Sequence, residues 1–373
     1  MGHLGVDKKE VVYRALAERL NSNPVGAPVN EVLMKILHRL YTESEAMVGS
    51  KFPMVPMKLD KIAGITGLEE KELLPILENM APKGLVLELP LQDGTYYMLA
   101  PMMIGFFEFT FMRVREEIDM KELAELFTLY IETPGVYEEF FGGNTKLIRS
   151  LVYESVIPAM VDTEVLDYER ASQIIRNSGG GALSMCACRH RASHLGKSCE
   201  AGGPIEDVCT TLGNSAKWMV SRGMARPATV DELLRVLDQT TKLGLVHIVD
   251  NILTQPTVIC HCCGCCCVAL HSSIGKEELP AQPSNFMPSF DRDSCVGCGT
   301  CADSCQIKII TMCDDGSGVE VPEFIKEKCL GCGVCAASCP SGAITMSRRP
   351  EIYVPPENKT ELLARIARER GKM

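Results

Sequence analysis

Residues 295–311 read C-V-G-C-G-T-C-A-D-S-C-Q-I-K-I-I-T, and residues 329–345 read C-L-G-C-G-V-C-A-A-S-C-P-S-G-A-I-T. The second segment begins 34 residues after the first, and the two are identical at ten of 17 positions, which indicates an internal duplication. Each contains four cysteines spaced C-x2-C-x2-C-x3-C. Three thiolates so close together can bind three corners of a cubic cluster, whereas the fourth cannot bend back to the same one.

This duplication resembles the bacterial-type ferredoxins that hold two [4Fe-4S] clusters, over about residues 286–350. In that family the fourth cysteine of each motif binds the other cluster. The resemblance therefore implies a first cluster on Cys295, Cys298, Cys301 and Cys339. It implies a second cluster on Cys329, Cys332, Cys335 and Cys305. Zinc is a weak alternative for this region, because structural zinc sites pair C-x2-C units and not triplets.

Two further positions in the repeats are informative. Pro340 follows the last cysteine of the second repeat, as in the family pattern, whereas Gln306 stands where the first repeat would have proline. All eight ligands are retained, but we expect the change to alter the loop and the potential of a cluster. Cys313 aligns with Ser347 of the other repeat, so we expect Cys313 to be a buried free thiol.

A denser cysteine segment, I-C-H-C-C-G-C-C-C, occupies Ile259–Cys267. Core packing gives no reason for such a run, so we interpret it as soft metal ligands. Its six cysteines are Cys260, Cys262, Cys263, Cys265, Cys266 and Cys267. One cluster could use a subset such as Cys260, Cys263 and Cys266 with a distant fourth ligand. We expect His261 to be a neighbour of the cluster and not a ligand.

A third group of cysteines lies upstream, at Cys186, Cys188, Cys199 and Cys209. Four thiolates suit one [4Fe-4S] cluster or one zinc ion, and the spacing does not choose between them. Basic residues occur among them, at Arg189, His190, Arg191 and Lys197. They would raise a cluster's potential, or they could instead face an acidic partner or solvent. A ligand from His190 or His194 is a lesser alternative. Alternatively, the ten cysteines of the two groups interleave around two clusters.

Residues 183–350 as a whole resemble multi-cluster iron–sulfur proteins of anaerobic bacteria and archaea. The resemblance rests on C-x-C-R, K-x-C-E, G-L-V-H, the C-x-C-C-G-C-C-C run and the duplicated motif. It implies electron transfer within a redox complex and names no substrate. The C-C-G element is also similar, in part, to the cysteine-rich domains of heterodisulfide-reductase-type subunits, which hold a noncubane cluster.

The composition separates two classes of cysteine-rich protein. The chain has 19 cysteines in 373 residues, an odd number, and begins without an apolar signal region. Adjacent cysteines are also poor disulfide partners. We therefore predict reduced, metal-bound cysteines in an oxygen-poor cytoplasm.

Several binding classes are disfavoured. The net charge of −10 argues against general affinity for nucleic acid or an anionic membrane. The longest apolar run, residues 96–107, contains proline and glycine and is too short to span a bilayer, so a soluble chain is expected. Neither G-x-G-x-x-G nor G-x-x-x-x-G-K-[ST] occurs, so we expect no NAD or flavin site in this chain.

The N-terminal region is similar to a winged helix. Helices are predicted at residues 8–20 and 31–41, then at 59–67 and 69–80, followed by a hairpin turning at Asp93-Gly94. The second helix of the motif offers mainly carboxylates, from Glu69, Glu70, Glu72 and Glu78. Because these would repel phosphates, we favour protein docking or a structural role over DNA binding.

The predicted fold is therefore α+β and multidomain. A winged-helix-like docking domain covers residues 1–110, a helical and cysteine-rich cluster-binding domain 111–279, and a dicluster ferredoxin domain 280–350. Residues 119–178 are expected to be helical, and 229–242 to be a capped helix before a strand at 244–249. Residues 280–293 are expected to tether the ferredoxin domain, and 351–373 to form a basic helical tail, either for docking or simply solvated.

These features predict an electron-transfer subunit with three or four iron–sulfur clusters. Its partners would be a ferredoxin or flavoprotein and a catalytic oxidoreductase subunit; a homo-oligomer stays open. A non-catalytic role is favoured because nearly all the unusual residues are cluster ligands. The alternatives are a heterodisulfide-reductase-like enzyme using a cluster at Cys260–Cys267, and a redox-responsive DNA-binding regulator.

Overall fold

The computed structural model describes residues 8–159, 165–314, 316 and 320–372, and the statements below concern these residues. They form a mixed structure of helices and four separate β-sheets. Across these ranges no helix is both long and apolar enough to cross a membrane.

Helices occur along the whole chain. They span Lys8–Asn21, Glu31–Leu40, Glu43–Ser50, Leu59–Thr66, Glu70–Met80, Phe107–Phe111, Met120–Glu132, Val136–Phe141, Ala171–Ser178, Ala187–His194, Gly213–Ser221, Val230–Lys242, Val268–Ser273, Thr300–Ser304, Val334–Ala337 and Lys359–Glu369. The strands, numbered in chain order, are β1 Met57–Lys58, β2 Val86–Leu91, β3 Gly94–Leu99, β4 Ile148–Ser150, β5 Gly181–Ser184, β6 Cys209–Leu212, β7 Arg226–Ala228, β8 Val246–Asp250, β9 Val258–Cys262, β10 Phe286–Phe290, β11 Ile310–Asp314, β12 Glu320–Phe324 and β13 Ile344–Arg348.

The N-terminal region follows the predicted order of elements. The helices predicted at residues 8–20 and 31–41 are present, and the Asn30 side chain caps the second by accepting a 2.8 Å hydrogen bond from the Leu33 amide. Strands β2 and β3 form the predicted hairpin, and β1 pairs with β3 to complete a three-stranded antiparallel sheet. Assignment of this region to the winged-helix class stays a prediction.

A six-stranded antiparallel sheet is the centre of the middle region. Its strand order is β4-β8-β9-β6-β5-β7. Helices Ala171–Ser178 and Val230–Lys242 cover one face, in an apolar cluster with Ile259 of β9. Because side chains alternate along a strand, Val258, Cys260 and Cys262 occupy the opposite face, the one that bears the cysteines.

The expectation of helix throughout residues 119–178 is wrong. Helices Met120–Glu132, Val136–Phe141 and Ala171–Ser178 are present, but β4 lies between them. The apolar positions Leu147 and Leu151 flank this strand, whose residues pair with β8. The backbone groups of β4 thus form hydrogen bonds with β8 and not within a helix. The middle region is therefore built on a sheet and not on helices alone.

The ferredoxin-like region consists of two antiparallel strand pairs and two short helices. Strand β10 pairs with β13, and β11 pairs with β12. The interpretation of residues 280–293 as a tether is wrong in part, because Phe286–Phe290 is strand β10. Phe286 is fully buried, which anchors this strand in the core.

The C-terminal helix packs against the chain. Leu362 and Ile366 of Lys359–Glu369 are buried, so a solvated tail is not observed. After the helix, Arg370 and Lys372 contact Glu139. One contiguous apolar cluster extends from the first helix to this last one, across the predicted domain boundaries at residues 110 and 279. Those boundaries themselves stay predictions.

Candidate metal centres and the cavity beside them

The eight cysteines of the repeats surround two small cavities. The first has a volume of 20 Å³ and is lined by Cys295, Cys298, Cys301 and Cys339. The second has a volume of 30 Å³ and is lined by Cys305, Cys329, Cys332 and Cys335. Each set combines three cysteines of one repeat with the last cysteine of the other. These residues therefore fit two cubane clusters, as the ferredoxin resemblance implies, although ligation itself stays a prediction.

Left-handed glycines make the tight loops before the two short helices. Gly299 has φ +74° and precedes Thr300–Ser304, and Gly333 has φ +83° and precedes Val334–Ala337. A Cβ atom at position 333 would lie 2.9 Å from the Val156 side chain. Glycine is therefore needed there both for the backbone conformation and for the close approach of the middle region.

The two cubane sites differ in exposure to solvent. At the first, Cys298 is exposed and the neighbouring Val296 is 65% exposed. A hydrogen bond with the Thr300 hydroxyl lowers the pKa of the Cys298 thiol. At the second site, burial raises the pKa of Cys332 to about 12. The first site thus lies at the surface and the second in the interior.

Gln306 connects the second cubane site to the segment Ile259–Cys267. The Gly264 amide donates to Gln306 Oε1 at 2.7 Å, and Gln306 Nε2 donates to the Gly244 carbonyl at 3.0 Å. A Cβ atom at position 264 would lie 2.0 Å from the Gln306 carbonyl oxygen, so only glycine fits. Proline, which the family pattern has at position 306, offers neither side-chain group.

Four cysteines of the middle region form a compact group beside Gly264: Cys199, Cys263, Cys265 and Cys266. The Cys265 sulfur lies 3.9 Å from that of Cys199 and 3.7 Å from that of Cys266. The sulfurs of Cys199, Cys263 and Cys265 all lie within 4.8 Å of one another. We call this set the four-cysteine group. Metal–sulfur bonds of about 2.3 Å in a tetrahedron give sulfur separations of about 3.8 Å, so the group fits one tetrahedral ion.

Hydrogen bonds within the four-cysteine group favour a thiolate. Bonds from Cys263 and Cys266 lower the pKa of the Cys199 thiol. The same contact with Cys199 raises the pKa of Cys263 to about 12. A thiolate is the form that binds metal, so one ligand is already favoured in its binding form.

The other six cysteines form a second group under the central sheet: Cys186, Cys188, Cys209, Cys260, Cys262 and Cys267. We call it the six-cysteine group. Its thiols are hydrogen-bonded in succession, Cys188 to Cys267, Cys267 to Cys262, Cys262 to Cys260, and Cys260 to Cys209. Burial raises the pKa of the Cys186 thiol, and the nearby charges of Cys260 and Cys267 raise it further. Six thiols exceed the four that one cubane uses.

Within this group two thiols are favoured as thiolates. Hydrogen bonds from Cys209 and Cys262 lower the pKa of Cys260 well below its usual value. Bonds from Cys188 and Cys262 do the same for Cys267. The donors of these bonds retain their protons more tightly. The group is therefore suited to bind cationic iron.

Arg189 is a buried cation between the two groups. Its side chain is 2% exposed and donates from Nη2 to the His261 carbonyl at 2.6 Å. Burial lowers the pKa of Arg189, but Coulombic interaction with cysteines of both groups raises it further than burial lowers it. The charge of Arg189 in turn helps to lower the pKa of the Cys199 thiol, so it favours a thiolate in the four-cysteine group.

The histidines near these cysteines are used in other contacts. His261 projects to the opposite face of β9, where its ring contacts Thr240 at 3.0 Å and His247 at 2.9 Å. Burial lowers the pKa of His247 to about 3, so this ring is neutral. His190 contacts the Phe111 carbonyl through one ring nitrogen and His194 through the other.

A cavity of 330 Å³ lies beside the six-cysteine group. Its floor is the sheet face that carries Cys209, Ile248, Val258 and Cys260. Its far wall is formed by β2 and by residues 103–112 of the N-terminal region, and Trp218 closes one side. The cavity is thus enclosed between the predicted docking domain and the cysteine-bearing sheet.

Glu108 is an acidic group with apolar neighbours in this cavity wall. Its carboxylate accepts a 2.9 Å hydrogen bond from the Gly105 amide. Burial raises the pKa of Glu108 to about 7, while backbone hydrogen bonds oppose the shift. At neutral pH this carboxyl is therefore divided between its protonated and charged forms.

The spatial grouping differs from the grouping along the sequence. Cys199 contacts Cys263, Cys265 and Cys266 in the four-cysteine group. Cys188 and Cys209, its neighbours in the sequence, instead contact members of the six-cysteine group. This arrangement corresponds to the alternative in which the ten cysteines interleave around two sites. Which of them bind metal stays a prediction.

The expectation for Cys313 is wrong in one respect. Its thiol is half-buried and not fully buried, because β11 and β12 form a two-stranded sheet with one exposed face. It contacts the Thr311 hydroxyl at 3.9 Å.

Sequence reasoning did not identify Glu108 or Trp218 as site residues. A signal for Glu108 existed, because a single carboxylate occurs within the aromatic run F-F-E-F-T-F at residues 106–111. A lone charge in such a run requires a cavity or a partner. Trp218 carried no comparable signal, since one apolar residue in an amphipathic helix is usually part of the core.

Comparison with known proteins bears on the C-terminal region. Residues 294–343 match the family described as the 4Fe-4S dicluster domain. No curated protein and no solved structure matches the chain. The match supports a ferredoxin-like iron–sulfur domain in this region, and together with the other cysteine groups it indicates an iron–sulfur electron-transfer protein.

Proposed function

We propose that this chain is a multi-cluster electron-transfer subunit of an anaerobic, cytoplasmic oxidoreductase complex. It passes low-potential electrons between a ferredoxin or flavoprotein partner and a catalytic subunit. The observation that carries this proposal is the hydrogen bond that the Gly264 amide donates to Gln306, because it joins the second cubane site to the central cysteine segment.

The cysteine groups form a sequence from the surface to the interior. The first cubane site has exposed residues, Val296 and Cys298, where a redox partner can approach. Cys301 lies within the helix Thr300–Ser304 and Cys305 directly follows it, so one turn of helix connects the two cubane sites. Gln306 follows Cys305 directly and contacts the loop that carries the four-cysteine group. That loop continues into Cys267 of the six-cysteine group.

The metals at the central groups determine how far electrons travel. We assign an iron–sulfur cluster to the six-cysteine group, since its thiols outnumber the ligands of any single ion. The sulfur separations of the four-cysteine group fit one tetrahedral ion. Iron there would carry electrons, whereas zinc would serve only to hold Cys199 against the loop.

Metal analysis of anaerobically purified protein tests this assignment. About 12 irons per chain with one zinc would correspond to three cubanes and one structural ion, and about 16 irons to four cubanes. Electron paramagnetic resonance (EPR) of the dithionite-reduced protein would show interacting clusters in either case. About eight irons would restrict electron transfer to the ferredoxin-like region and contradict the proposal.

The route of electron transfer is tested by removing a proposed ligand of the second cubane. In Cys332→Ser, a small reduced ferredoxin should still reduce the first cluster, while reduction of the central cluster slows about tenfold or more in rapid mixing. Cys313→Ser is the matched control, because Cys313 belongs to none of the four groups. Equal central reduction rates in the two variants would mean that electrons do not pass through the second cubane.

A second candidate function is catalysis within this chain. One observation favours it, the 330 Å³ cavity that borders the six-cysteine group. An enzyme similar to heterodisulfide reductase would need space for a substrate at its cluster. A cluster iron without a protein ligand, detected by a spectral change on adding a small thiol, would distinguish this enzyme from a pure electron carrier.

A further inference from the structure

The cavity at the six-cysteine group is much larger than a cluster requires. The two cavities that fit cubanes measure 20 and 30 Å³ in the same structure. The cavity at the six-cysteine group measures 330 Å³, more than ten times as much. A cluster on these thiols would therefore leave most of the volume free for a second molecule.

The walls of the free volume are mainly apolar. The apolar lining includes Leu87 and Leu89 on β2, Val258 on β9, and the ring of Trp218. Apolar surfaces of this kind bind apolar molecules, whose transfer out of water is favourable. The Glu88 carboxylate accepts hydrogen bonds from the Arg222 guanidinium and from the Trp218 indole, so its charge is already paired.

Two of the charged groups that line the cavity lie near the cysteines, whereas Lys359 lies near Thr257, 3.5 Å from its hydroxyl. The half-buried Glu108 carboxyl and the buried Arg189 both line the cavity. The Nε atom of Arg189 is buried and has no hydrogen-bond partner within the described chain. The cavity is therefore mainly apolar and has a carboxyl and an unpaired guanidinium nitrogen beside the thiols, which is the general pattern of a small-molecule site.

We propose that this cavity binds a small, largely apolar organic molecule with one polar group, which is held against the six-cysteine group. The proposal rests on the proposed function, since it places a cluster on those thiols. An apolar cavity of about 150 Å³ accommodates benzene. A volume of 330 Å³ admits a molecule about twice that size. Its polar group lies toward Glu108 and Arg189, and its apolar part lies between β2 and Trp218.

The chain provides its own reporter for binding. Trp218 is the one tryptophan in the sequence and lines the cavity. A suitable probe is 1-heptanol, which does not absorb where tryptophan does and carries a single hydroxyl. We expect saturable changes in Trp218 fluorescence and a shift in the EPR signal of the central cluster in the reduced holoprotein. The more polar 1,6-hexanediol should bind at least about tenfold more weakly.

Two variants fill the cavity from opposite walls, Val258→Phe and Leu89→Phe. Each should weaken heptanol binding about tenfold while retaining the iron content and circular dichroism of the wild type. Val32→Phe is the matched control, because Val32 is partly buried in a helix outside the cavity. If one of the two filled variants does not fold, the other still tests the site.

The possible results separate the two proposals. Saturable binding with an EPR shift supports a ligand beside the cluster. Binding without an EPR shift in a protein that contains the central cluster overturns the placement against the thiols. No saturable binding, or equal binding by the filled variants and Val32→Phe, overturns the site. Saturable binding by a protein with only about eight irons contradicts the proposed function, because the ligand would then occupy an apolar cavity with no cluster beside it.

Discussion

Gln306 shows how one side chain joins two regions of the chain. Its amide accepts from the Gly264 amide and donates to the Gly244 carbonyl, and both partners belong to the middle region. A Cβ atom at position 264 would lie 2.0 Å from the Gln306 carbonyl oxygen, so a larger residue there would require the chain to move. Gln306, which stands where the family pattern has proline, thus forms a contact between two candidate metal sites.

Replacing Gln306 by leucine should weaken this contact. Both hydrogen bonds would be lost, and the partly buried Gly264 amide would be left without its acceptor, at a cost of about 1–3 kcal/mol in the free energy of unfolding. Rapid mixing with a reduced ferredoxin should also show slower reduction of the central cluster. Gln239→Leu, at an exposed helical position, is the control. An unchanged rate in Gln306→Leu would show that the contact has no part in electron transfer.

Glu108 should titrate near neutral pH. Its pKa is raised to about 7, mainly by burial, from an ordinary 4.5. The proton therefore stabilises the folded protein fully below about pH 4.5, and this contribution is lost as the pH rises through about 7. Infrared difference spectra should show a protonated carboxyl band that disappears with a midpoint near pH 7 and is absent in Glu108→Gln. Glu132→Gln, at an exposed site, should retain the band; a midpoint near 4.5 would contradict the shift.

At the scale of elements, the helix Glu70–Met80 presents its acidic side to solvent. Leu73 and Leu77 are buried, while Glu70, Glu72 and Glu78 are exposed. This arrangement preserves the charge pattern on which the preference for protein docking over DNA binding was based.

The acidic helix leads to a prediction about nucleic acid. Fluorescence anisotropy with a labelled duplex of mixed sequence should show no binding at physiological salt, because the exposed carboxylates repel phosphates. A variant with Glu70, Glu72 and Glu78 changed to glutamine should gain at most weak, salt-sensitive binding. Tight, sequence-dependent binding by the wild type would support the regulator alternative.

Local signals determined which elements were predictable. The helix Val230–Lys242 begins where Thr229 and Glu232 form a capping box, and both residues are visible in the sequence. The strand around Leu147 and Leu151 was taken for helix because short apolar runs satisfy either period. Its pairing with β8 depends on residues about 100 positions later, which no local pattern encodes.

The cysteine groups show the same limit. Spacing within the repeats predicted which cysteines share each small cavity, since the motif contains its own geometry. In the run Ile259–Cys267, alternation along β9 places Cys260 and Cys262 on one face. The partner of Cys260 on that face, Cys209, comes from β6, and the order of strands in the sheet brings it there.

At the scale of the whole molecule, one carboxylate joins the segment after the first helix to the residues that follow the last helix. Glu139 accepts from the Gly26 amide at 2.7 Å, from Arg370 at 2.9 Å and from Lys372 at 2.7 Å. These contacts link the N-terminal helices, the middle of the chain and its C-terminal helix.

Glu139→Gln should lower the free energy of unfolding by about 1–2 kcal/mol. The amide that replaces the carboxylate keeps one acceptor but removes the charge that pairs with Arg370 and Lys372. Urea unfolding followed by circular dichroism measures the change, with Glu132→Gln as the exposed control. Equal midpoints for the two variants would mean that the pairing contributes nothing measurable to stability.

The interleaving of the two central groups along the chain has a consequence for biosynthesis. Cys199 of one group lies between Cys188 and Cys209 of the other, and Cys263 to Cys266 lie between Cys262 and Cys267. A ribosome must therefore translate the whole run before either group has all its thiols. A maturation factor that delivered iron to the nascent chain earlier would find members of both groups together and no means of sorting them. We therefore expect the central sheet to fold before metal is delivered to either group.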